Sequence, residues 1–321
     1  MLSPTSDAEL TLERALRGAH AVRDETEALH AGERLAWAMA RDLAPAVSIA
    51  RVSIAPMWLE AWAACQPLVA SGPVRLVRTA TVIRTRTDLV CIDPCLPSAW
   101  GRTPLGERMR SLHEGRTSET FPMTLGEALG PPGKYTEVIF TSLAFQSLRE
   151  LLGTTHGDGL EAVLAPYFPN ARIVMGPGAL GRPRSEHDHA SDVRGGLARV
   201  RSEQLLEIEE PTLLPSGLIA IPTGGHVPEH LAIACVTKLD RPRVTVMTSQ
   251  VTTRDAFSPY ESSLPGLREH ARLRDTELTP RGDAHDALAH RRALRLERAL
   301  ADRDPEDPRF HLVHPALALT G

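Results

Sequence analysis

The order in which strand-like and helical segments follow one another constrains the fold of this chain most strongly. Two segments rich in β-branched residues, VRLVRTATVIR and DLVCIDPCL, come after Gly72 and are joined by the short link TRT. This composition predicts two paired strands. TEVIFTS and ARIVM are two further strand-like segments, and helical patterns separate them. The sequence therefore predicts a β-rich half that leads into an αβ connection.

A second β-rich half follows this connection. LEIEEPTLLPSGLIAIPTGGHV and HLAIACVTKLDRPRVTVMTSQV have the pattern of four or more short strands with turns between them. From about Pro265 to Ala301 the chain has an Arg- and Leu-rich helical pattern, on which we expect His285 and His290 to be exposed, and FHLVHPALAL predicts a last strand. Two β-rich halves, an αβ connection and a closing strand predict an α/β protein, a four-layer αββα sandwich.

The N-terminal part of the chain has a different pattern. From Ser6 to about Leu43 apolar residues recur at steps of three and four, which indicates helix, and Pro45 ends this stretch. The next segment, VSIARVSIAPMWLEAWAACQPL, has no clear period and fits a short strand and a helical turn. We therefore predict an N-terminal helical extension, residues 1–70, and a main domain, residues 71–321. We expect a helical pair that covers one face of the main domain; an arm that binds a partner is the alternative.

Composition and charge narrow the classes of partner. The formal charge of -4 provides no broad positive field, which argues against nucleic acid held through its phosphates. Every apolar stretch is broken before the roughly 18 to 20 residues that a membrane span needs, and the first residues lack the apolar core of a signal peptide. The 4 cysteines in 321 residues make no disulfide framework. We expect a cytoplasmic protein with a small-molecule substrate, no nucleic acid or membrane partner, and a homodimer as an open alternative.

Several motifs resemble, in the same order, those of the metallo-β-lactamase fold superfamily. Cys91-Ile92-Asp93-Pro94-Cys95 is similar to the family's first loop, with Asp93 at the position of its structural aspartate. Residues 141–147, TSLAFQS, align without a gap with the zinc-ligand motif Thr-His-x-His-x-Asp-His. Thr223-Gly224-Gly225-His226 is similar to the family's Thr-Pro-Gly-His, and VTVMTSQV to a strand that ends in Gly-Asp. The resemblance spans roughly residues 74–315 and implies a metallo-β-lactamase-like αββα fold.

The departures from the family pattern lie at the metal ligands. Where the family has His, His, Asp, His and Asp, this chain has Ser142, Ala144, Gln146, Ser147 and Gln250. His226 and His314 keep the family's residue, but in the family these two positions serve different metals. Zinc needs three or four His, Cys or carboxylate ligands. The resemblance therefore implies the fold together with loss of the dinuclear zinc site and of its metal-activated water, and we expect no cofactor.

The side chains at the former ligand positions suggest a metal-free site. Positions that share a metal in relatives lie within about 3 to 4 Å of each other, so Ser142 and His226 are predicted to form a nucleophile and base pair. In this hypothesis Gln146 and Gln250 orient the substrate or donate to an oxyanion, and His314 is a second acid or base near Ser147. The function predicted is a metal-independent hydrolase or acyl-transfer enzyme acting on a small molecule in specialised metabolism.

Two other interpretations stay open. The same six polar residues fit a pseudoenzyme, or a protein that binds a ligand or partner, in which they form a satisfied polar network. Alternatively the metal has moved to the loop Glu186–Asp192, because His187 and His189 point to the same side of an extended segment and Asp192 follows. Such a site would bind zinc or iron, with His226 as a further ligand. Cys95 as a thiol nucleophile with His226 or His314 is a further alternative.

Overall fold

The protein, analysed as a computed structural model, has two β-sheets that pack against each other. The structure describes residues 11–60, 73–94, 126, 129–143, 151, 167–179, 202–238, 242–248, 260, 266–279, 285–301 and 312–313. Its helices in these ranges are α1 (Leu12–His20), α2 (Glu25–Asp42), α3 (Leu267–Arg274) and α4 (Ala287–Ala301), with short 3-10 helices at Pro132–Lys134 and Ser202–Gln204. None of the described helices is long and apolar enough to span a membrane.

In the part of the chain that the structure describes, the first sheet has six strands, and their order in the sheet is their order along the chain. They are β1 (Ser48–Glu60), β2 (Pro73–Arg84), β3 (Leu89–Ile92), β4 (Glu137–Ile139), β5 (Arg172–Met175) and β6 (Leu205–Glu207). β1, β2 and β3 are antiparallel neighbours, and β3 to β6 run parallel. The predicted pairing of VRLVRTATVIR with DLVCIDPCL is confirmed, with Thr81 opposite Ile92 and Arg84 opposite Leu89.

β1 is longer than the short strand expected from the sequence. It pairs with β2 over its whole length, from Ser48 opposite Arg84 to Glu60 opposite Pro73, with one irregularity between Ser53 and Ala55. The boundary predicted at residue 70 thus falls between two strands of one sheet. The division into residues 1–70 and 71–321 stays a prediction.

The second sheet contains β7 (Thr212–Leu213), β8 (Ile219–Pro222), β9 (Leu231–Lys238), β10 (Pro242–Met247) and β11 (Leu312–Val313). Their order is β11-β10-β9-β8-β7. β7 to β10 are antiparallel neighbours, whereas β11 is parallel to β10. The predicted second β-rich half with its closing strand is therefore confirmed.

Three buried clusters separate the layers of the sandwich. The cluster between the sheets includes Ile83, Val90, Ile92, Ile139 and Val174 from the first sheet and Leu231, Ile233, Cys235 and Met247 from the second. On the outer face of the first sheet, Cys91, Val138 and Ile173 pack with the helical residues Leu129 and Leu151. Neighbouring residues of β3 and β4 point to opposite faces, and both faces are apolar, as expected for strands buried on both sides. These layers form the αββα arrangement.

The N-terminal helices cover the outer face of the second sheet. Small and apolar residues of α1 and α2, among them Ala15, Ala19, Leu35 and Met39, are buried with β8, β9, β10 and α4. The chain breaks between α1 and α2 because Asp24 accepts hydrogen bonds of 2.8 Å from the N–H groups of Thr26 and Glu27 and so begins a new helix. The expected helical pair over one face of the domain is confirmed.

The Arg-rich tail forms two helices rather than one. α3 ends where Asp275 adopts a φ of 47°, and α4 begins after Asp286, whose carboxylate accepts from the N–H groups of Leu288 and Ala289. His285 is exposed, as expected, but His290 is fully buried. The expectation for His290 was wrong because the start of α4 sets a helical phase that turns this residue toward the loop of Gly225 and His226.

A buried carboxylate connects the two sheets. Glu137 on β4 receives a hydrogen bond from Ser216, which lies between β7 and β8, and pairs with Arg172 on β5 at 2.9 Å. Only 2% of the Glu137 side chain is exposed. Burial raises the pKa of Glu137, although Ser216 and Arg172 act in the opposite direction. Burial therefore makes the charged form of Glu137 unfavourable, and the hydrogen bonds and ion pair with Ser216 and Arg172 offset part of that free-energy cost.

A close helix crossing predicts an unusual effect of adding one methyl group. A Cβ on Gly32 of α2 would lie 2.7 Å from both Ala299 Cβ and Leu296 O of α4. We expect Gly32→Ala to lower the free energy of unfolding by about 1 to 3 kcal/mol, because this overpacking outweighs the better helix propensity of alanine. Gly18→Ala in α1 is the matched control: its Cβ would meet only Arg34 Nη2 at 4.0 Å. Urea unfolding measures the free energy of unfolding of both variants. Equal stability of the two would contradict the predicted overpacking between α2 and α4.

The raised pKa of Glu137 predicts a pH dependence with a definite sign. A carboxyl group whose pKa is higher in the folded state binds its proton more tightly there, so its contribution to stability grows as pH falls through that pKa. It is complete below the unfolded value and is lost as pH rises. The stability difference between wild type and Glu137→Gln should shift in favour of wild type from pH 7 to pH 5 in urea unfolding. A stability difference that stays constant between pH 7 and pH 5, or that shifts in favour of the variant, would refute the raised pKa of Glu137.

Candidate functional site

Asp93 joins the ends of the two central strands of the first sheet. It follows β3 directly, adopts a φ of 52° and is only 4% exposed. Its N–H donates to Ile139 O at 2.9 Å, while its carboxylate accepts from Thr141 N at 2.8 Å and from the Thr141 hydroxyl. Hydrogen bonds to a buried carboxylate are among the strong ones. The turn after β4, which continues into Ser142, is therefore held in place by Asp93.

A backbone hydrogen bond joins the segment of Ser142 to the loop that carries His226. Thr141 O accepts a hydrogen bond of 2.8 Å from Leu231 N, the first residue of β9. Residues 223–230 form the loop that ends there, and this loop carries His226. Ser142 and His226 are each 5% exposed. The structure thus brings the chain segments of the predicted nucleophile and base together at the edge where both sheets end.

The loop that carries His226 is fixed against α4. His285 N donates to His226 O and Asp286 N to Gly225 O, both at 2.9 Å. Gly225 has a φ of 89°, and a Cβ there would lie 2.5 Å from His290 Cα, so both conformation and space require glycine. The rings of His226 and His290 are 6.3 Å apart. The position of His226 therefore depends on the start of α4.

A chain of buried polar groups lies behind this loop. His230 Nδ1 is 2.6 Å from Thr223 Oγ1, and His230 Nε2 is 3.3 Å from Thr248 Oγ1. Thr248 in turn donates to Glu297 Oε1 at 3.2 Å. His230, Thr248 and Glu297 are all fully buried. One hydrogen-bonded chain thus connects four elements. Thr223 follows β8, His230 precedes β9, Thr248 follows β10, and Glu297 lies on α4.

The sequence patterns indicated no role for these hydrogen-bonded residues. One signal was available: His290 and Glu297 are seven residues apart, which places both on one face of a helix together with Ala293, Leu294 and Leu300. An acid in an apolar helical stripe indicates a buried partner, because an unpaired buried charge is costly. Its partners His230 and Thr248, next to β9 and β10, lie far away in sequence and could not be paired with Glu297 by pattern alone.

The other predicted site residues lie outside the described part of the chain. These are Gln146, Ser147, Gln250, His314 and Cys95 of the pocket, and His187, His189 and Asp192 of the alternative metal loop. Their roles stay predictions. Of the cysteines in the described ranges, Cys91 and Cys235 are buried free thiols, and burial raises the pKa of Cys235 to about 12. Neither is a suitable nucleophile, since the thiolate is the reactive form.

The donors at this edge do not fit a zinc centre of the family's kind. At the described positions where the family has ligands the chain offers the hydroxyl of Ser142 and the imidazole of His226. Within the described ranges no group of three or more His, Cys, Asp or Glu side chains is placed to hold a metal ion. Zinc sites use three or four such ligands. These residues therefore support no reaction step through a metal.

Comparisons with known proteins give matches among solved structures. No protein-family model and no curated protein matches this chain. A probable metal-dependent hydrolase from Staphylococcus aureus is 14% identical, with a TM-score of 0.51 over 79% of this chain and 84% of its own. An N-acyl homoserine lactone hydrolase with N-hexanoyl-L-homoserine bound at its catalytic metal centre is 16% identical, with a TM-score of 0.47 over 72% of this chain and 89% of its own. A putative metallo-β-lactamase from Thermotoga maritima is 12% identical, with a TM-score of 0.37 over 74% of this chain and 97% of its own.

At such identities the similarity concerns the fold. The staphylococcal structure covers most of both chains. Two sheets between helices, with the Asp93 turn and the TGGH loop at one edge, agree with the motif order found in the sequence. The chain therefore has the αββα fold of the metallo-β-lactamase superfamily.

Proposed function

We propose that this protein is a metal-independent enzyme of hydrolase or acyl-transfer type that acts on a small acyl-type molecule. Ser142 is the nucleophile and His226 the general base in this proposal. The observation that supports it most is the hydrogen bond between Thr141 O and Leu231 N, which joins the Ser142 turn to the end of the loop that carries His226. A hydroxyl next to an imidazole is the basic unit of metal-free acyl transfer.

The proposed mechanism assigns one role to each residue at the edge. Ser142 Oγ attacks the acyl carbonyl while His226 takes its proton, and the acyl group is then passed to water or to another acceptor. Gln146 and Gln250 donate N–H groups to the oxyanion or orient the substrate, and His314 protonates the leaving group. Ser147 enters as a polar neighbour of Gln250 and His314, because these three residues stand at the family's second-metal positions. These last four residues enter through the alignment with the family's ligand positions.

The fixed backbone of the TGGH loop supports a catalytic role for His226. Its carbonyl is held by His285, and Gly225 before it is packed against His290. A base held by its surroundings needs little reorganisation during the reaction. Burial of Ser142 and His226 also strengthens hydrogen bonds between polar groups, because little water competes for them.

The same burial favours a second candidate function. Ser142 and His226 are each only 5% exposed. The edge that carries Ser142, His226 and Thr223, which we call the polar edge, therefore also suits a pseudoenzyme, or a protein that binds a ligand or partner, whose former metal positions form a closed polar network. In that case the edge stabilises the fold and no covalent chemistry takes place there. Covalent labelling separates the two candidates.

A fluorophosphonate probe tests the nucleophile directly. We expect one phosphonyl adduct per chain, on the tryptic peptide of residues 135–149, which contains Ser142. Ser142→Ala should abolish that adduct, and His226→Asn should slow its formation at least about 100-fold, since a general base contributes this much. The control is His20→Ala on the exposed end of α1, which should label like wild type.

Labelling must be read together with folding. Melting temperatures of both variants within a few degrees of wild type would show that the loss is chemical. An unchanged adduct on Ser142 in His226→Asn would remove His226 as the base. A folded wild-type protein that takes up no probe would favour the binding protein.

The metal content of the purified protein separates the metal-independent enzyme from the alternative with a relocated metal site. Protein purified without chelator or added metal should contain less than about 0.1 equivalent of any transition metal by elemental mass spectrometry, because Ser, Gln and a single His hold zinc poorly. The double variant His187→Ala, His189→Ala should then have the same content. Near-stoichiometric zinc or iron that disappears in the double variant would place a metal site in the loop of residues 186–192 and contradict metal independence.

A further inference from the structure

A hydrogen-bonded hydroxyl and imidazole pair lies near the Ser142 segment. Thr223 Oγ1 and His230 Nδ1 are 2.6 Å apart, a short hydrogen bond. Thr223 is partly exposed, whereas His230 is fully buried. Thr223 begins the loop whose other end contacts Thr141, the residue before Ser142. Of the two residues, Thr223 is therefore the one with surface open to solvent.

The direction of the hydrogen bonds fixes the tautomer of His230. The Thr248 hydroxyl has a single hydrogen, which it donates to Glu297 Oε1. Thr248 Oγ1 must therefore accept from His230 Nε2, 3.3 Å away, so that Nε2 carries the proton. In neutral His230 the other nitrogen, Nδ1, is then an acceptor, and it takes the hydrogen of Thr223.

A buried carboxylate completes the arrangement. Glu297 is fully buried on α4 and reaches His230 through the Thr248 hydroxyl. A negative charge on Glu297 would stabilise the imidazolium that forms when His230 gains a proton. A carboxylate that holds an imidazole in one tautomer and stabilises its charged form is the principle of the hydroxyl, imidazole and carboxylate triad. Here a threonine hydroxyl bridges the last two members.

We infer that Thr223 is a second acyl-accepting nucleophile, with His230 as its general base and Thr248 and Glu297 as positioning residues. The substrate class is small activated acyl compounds such as esters and thioesters. In the step, Thr223 Oγ forms a bond to the acyl carbon, its proton moves to His230 Nδ1, and the alkoxide or thiolate leaves with the bonding electron pair and takes up the proton. Water then hydrolyses the acyl-threonine and restores the hydroxyl. This inference goes beyond the proposed function and does not require Ser142.

Acyl transfer from p-nitrophenyl acetate tests the inference with the whole chain. The reaction is stopped in acid, the protein is digested with trypsin, and acetylated peptides are located by tandem mass spectrometry. Thr223 lies in the peptide of residues 202–238 and Ser142 in that of residues 135–149, so the two sites are read separately. We expect an acetyl group on Thr223 in wild type and also in Ser142→Ala.

Two matched pairs of variants separate chemistry from structure. Thr223→Ser keeps the hydroxyl and should keep the adduct, whereas Thr223→Val, of similar shape, should lose it. Thr248→Ser keeps the bridge to Glu297, and Thr248→Val removes it; the second should slow acetylation of Thr223 at least about tenfold. The melting temperature of each variant is measured beside its rate. Because Thr223 is partly exposed, its pair decides the matter even if Thr248→Val proves unstable.

Each outcome bears on one proposal or the other. Acetyl on Thr223 that is lost in Thr223→Val and kept in Thr223→Ser supports the inference. Acetyl on Ser142 alone overturns it and leaves the proposed function standing. Acetyl on Thr223 alone supports the inference and removes Ser142 as nucleophile. Acetyl on neither residue of the folded protein overturns both.

Discussion

The polar edge of this protein depends on the hydrogen bonds of the Asp93 carboxylate. It accepts hydrogen bonds from the backbone and hydroxyl of Thr141, and its own N–H is bonded to Ile139, so the ends of β3 and β4 form one unit. The carbonyl of Thr141 accepts a hydrogen bond from Leu231 N in the second sheet, so this unit is also joined to the second sheet. Asp93 has a left-handed backbone conformation, which is unfavourable for a residue with a Cβ. These hydrogen bonds stabilise that conformation.

The polar edge is held together by interactions within the protein itself. In a metal centre the ligands are drawn together by the ion, but here backbone hydrogen bonds, the Gly225 contact with α4 and the chain from Thr223 to Glu297 do the same for loops from both sheets. Hydroxyl and imidazole groups then stand in a preorganised and largely buried setting. That setting is what nucleophilic catalysis needs, and it is also what a stable polar network needs, which is why the chemistry has to be tested by covalent labelling.

The sequence predicted the strands well because each carries a local signal. The β-branched segments became β2 and β3, and the turn-separated strands of the second half became β6 to β10. β1 was underestimated because its length is set by pairing with β2, a contact that periodicity does not show. His226 and Ser142 were selected by resemblance, whereas the Thr223, His230 and Glu297 chain was missed because its members are assembled by tertiary packing. The burial of His290 was missed for a similar reason, since it depends on where α4 begins.

The close crossing of α2 and α4 at Gly32 connects the beginning of the chain to this edge. α4 packs against α2 on one side, and on the other it supplies the backbone that Gly225 touches and the Glu297 carboxylate. A change in side-chain volume on α2 would therefore be passed through a rigid helix to the loop of His226. Among relatives that share this N-terminal helical pair, residues at the crossing and residues at the polar edge are expected to vary together, so that the helices evolve as part of the site.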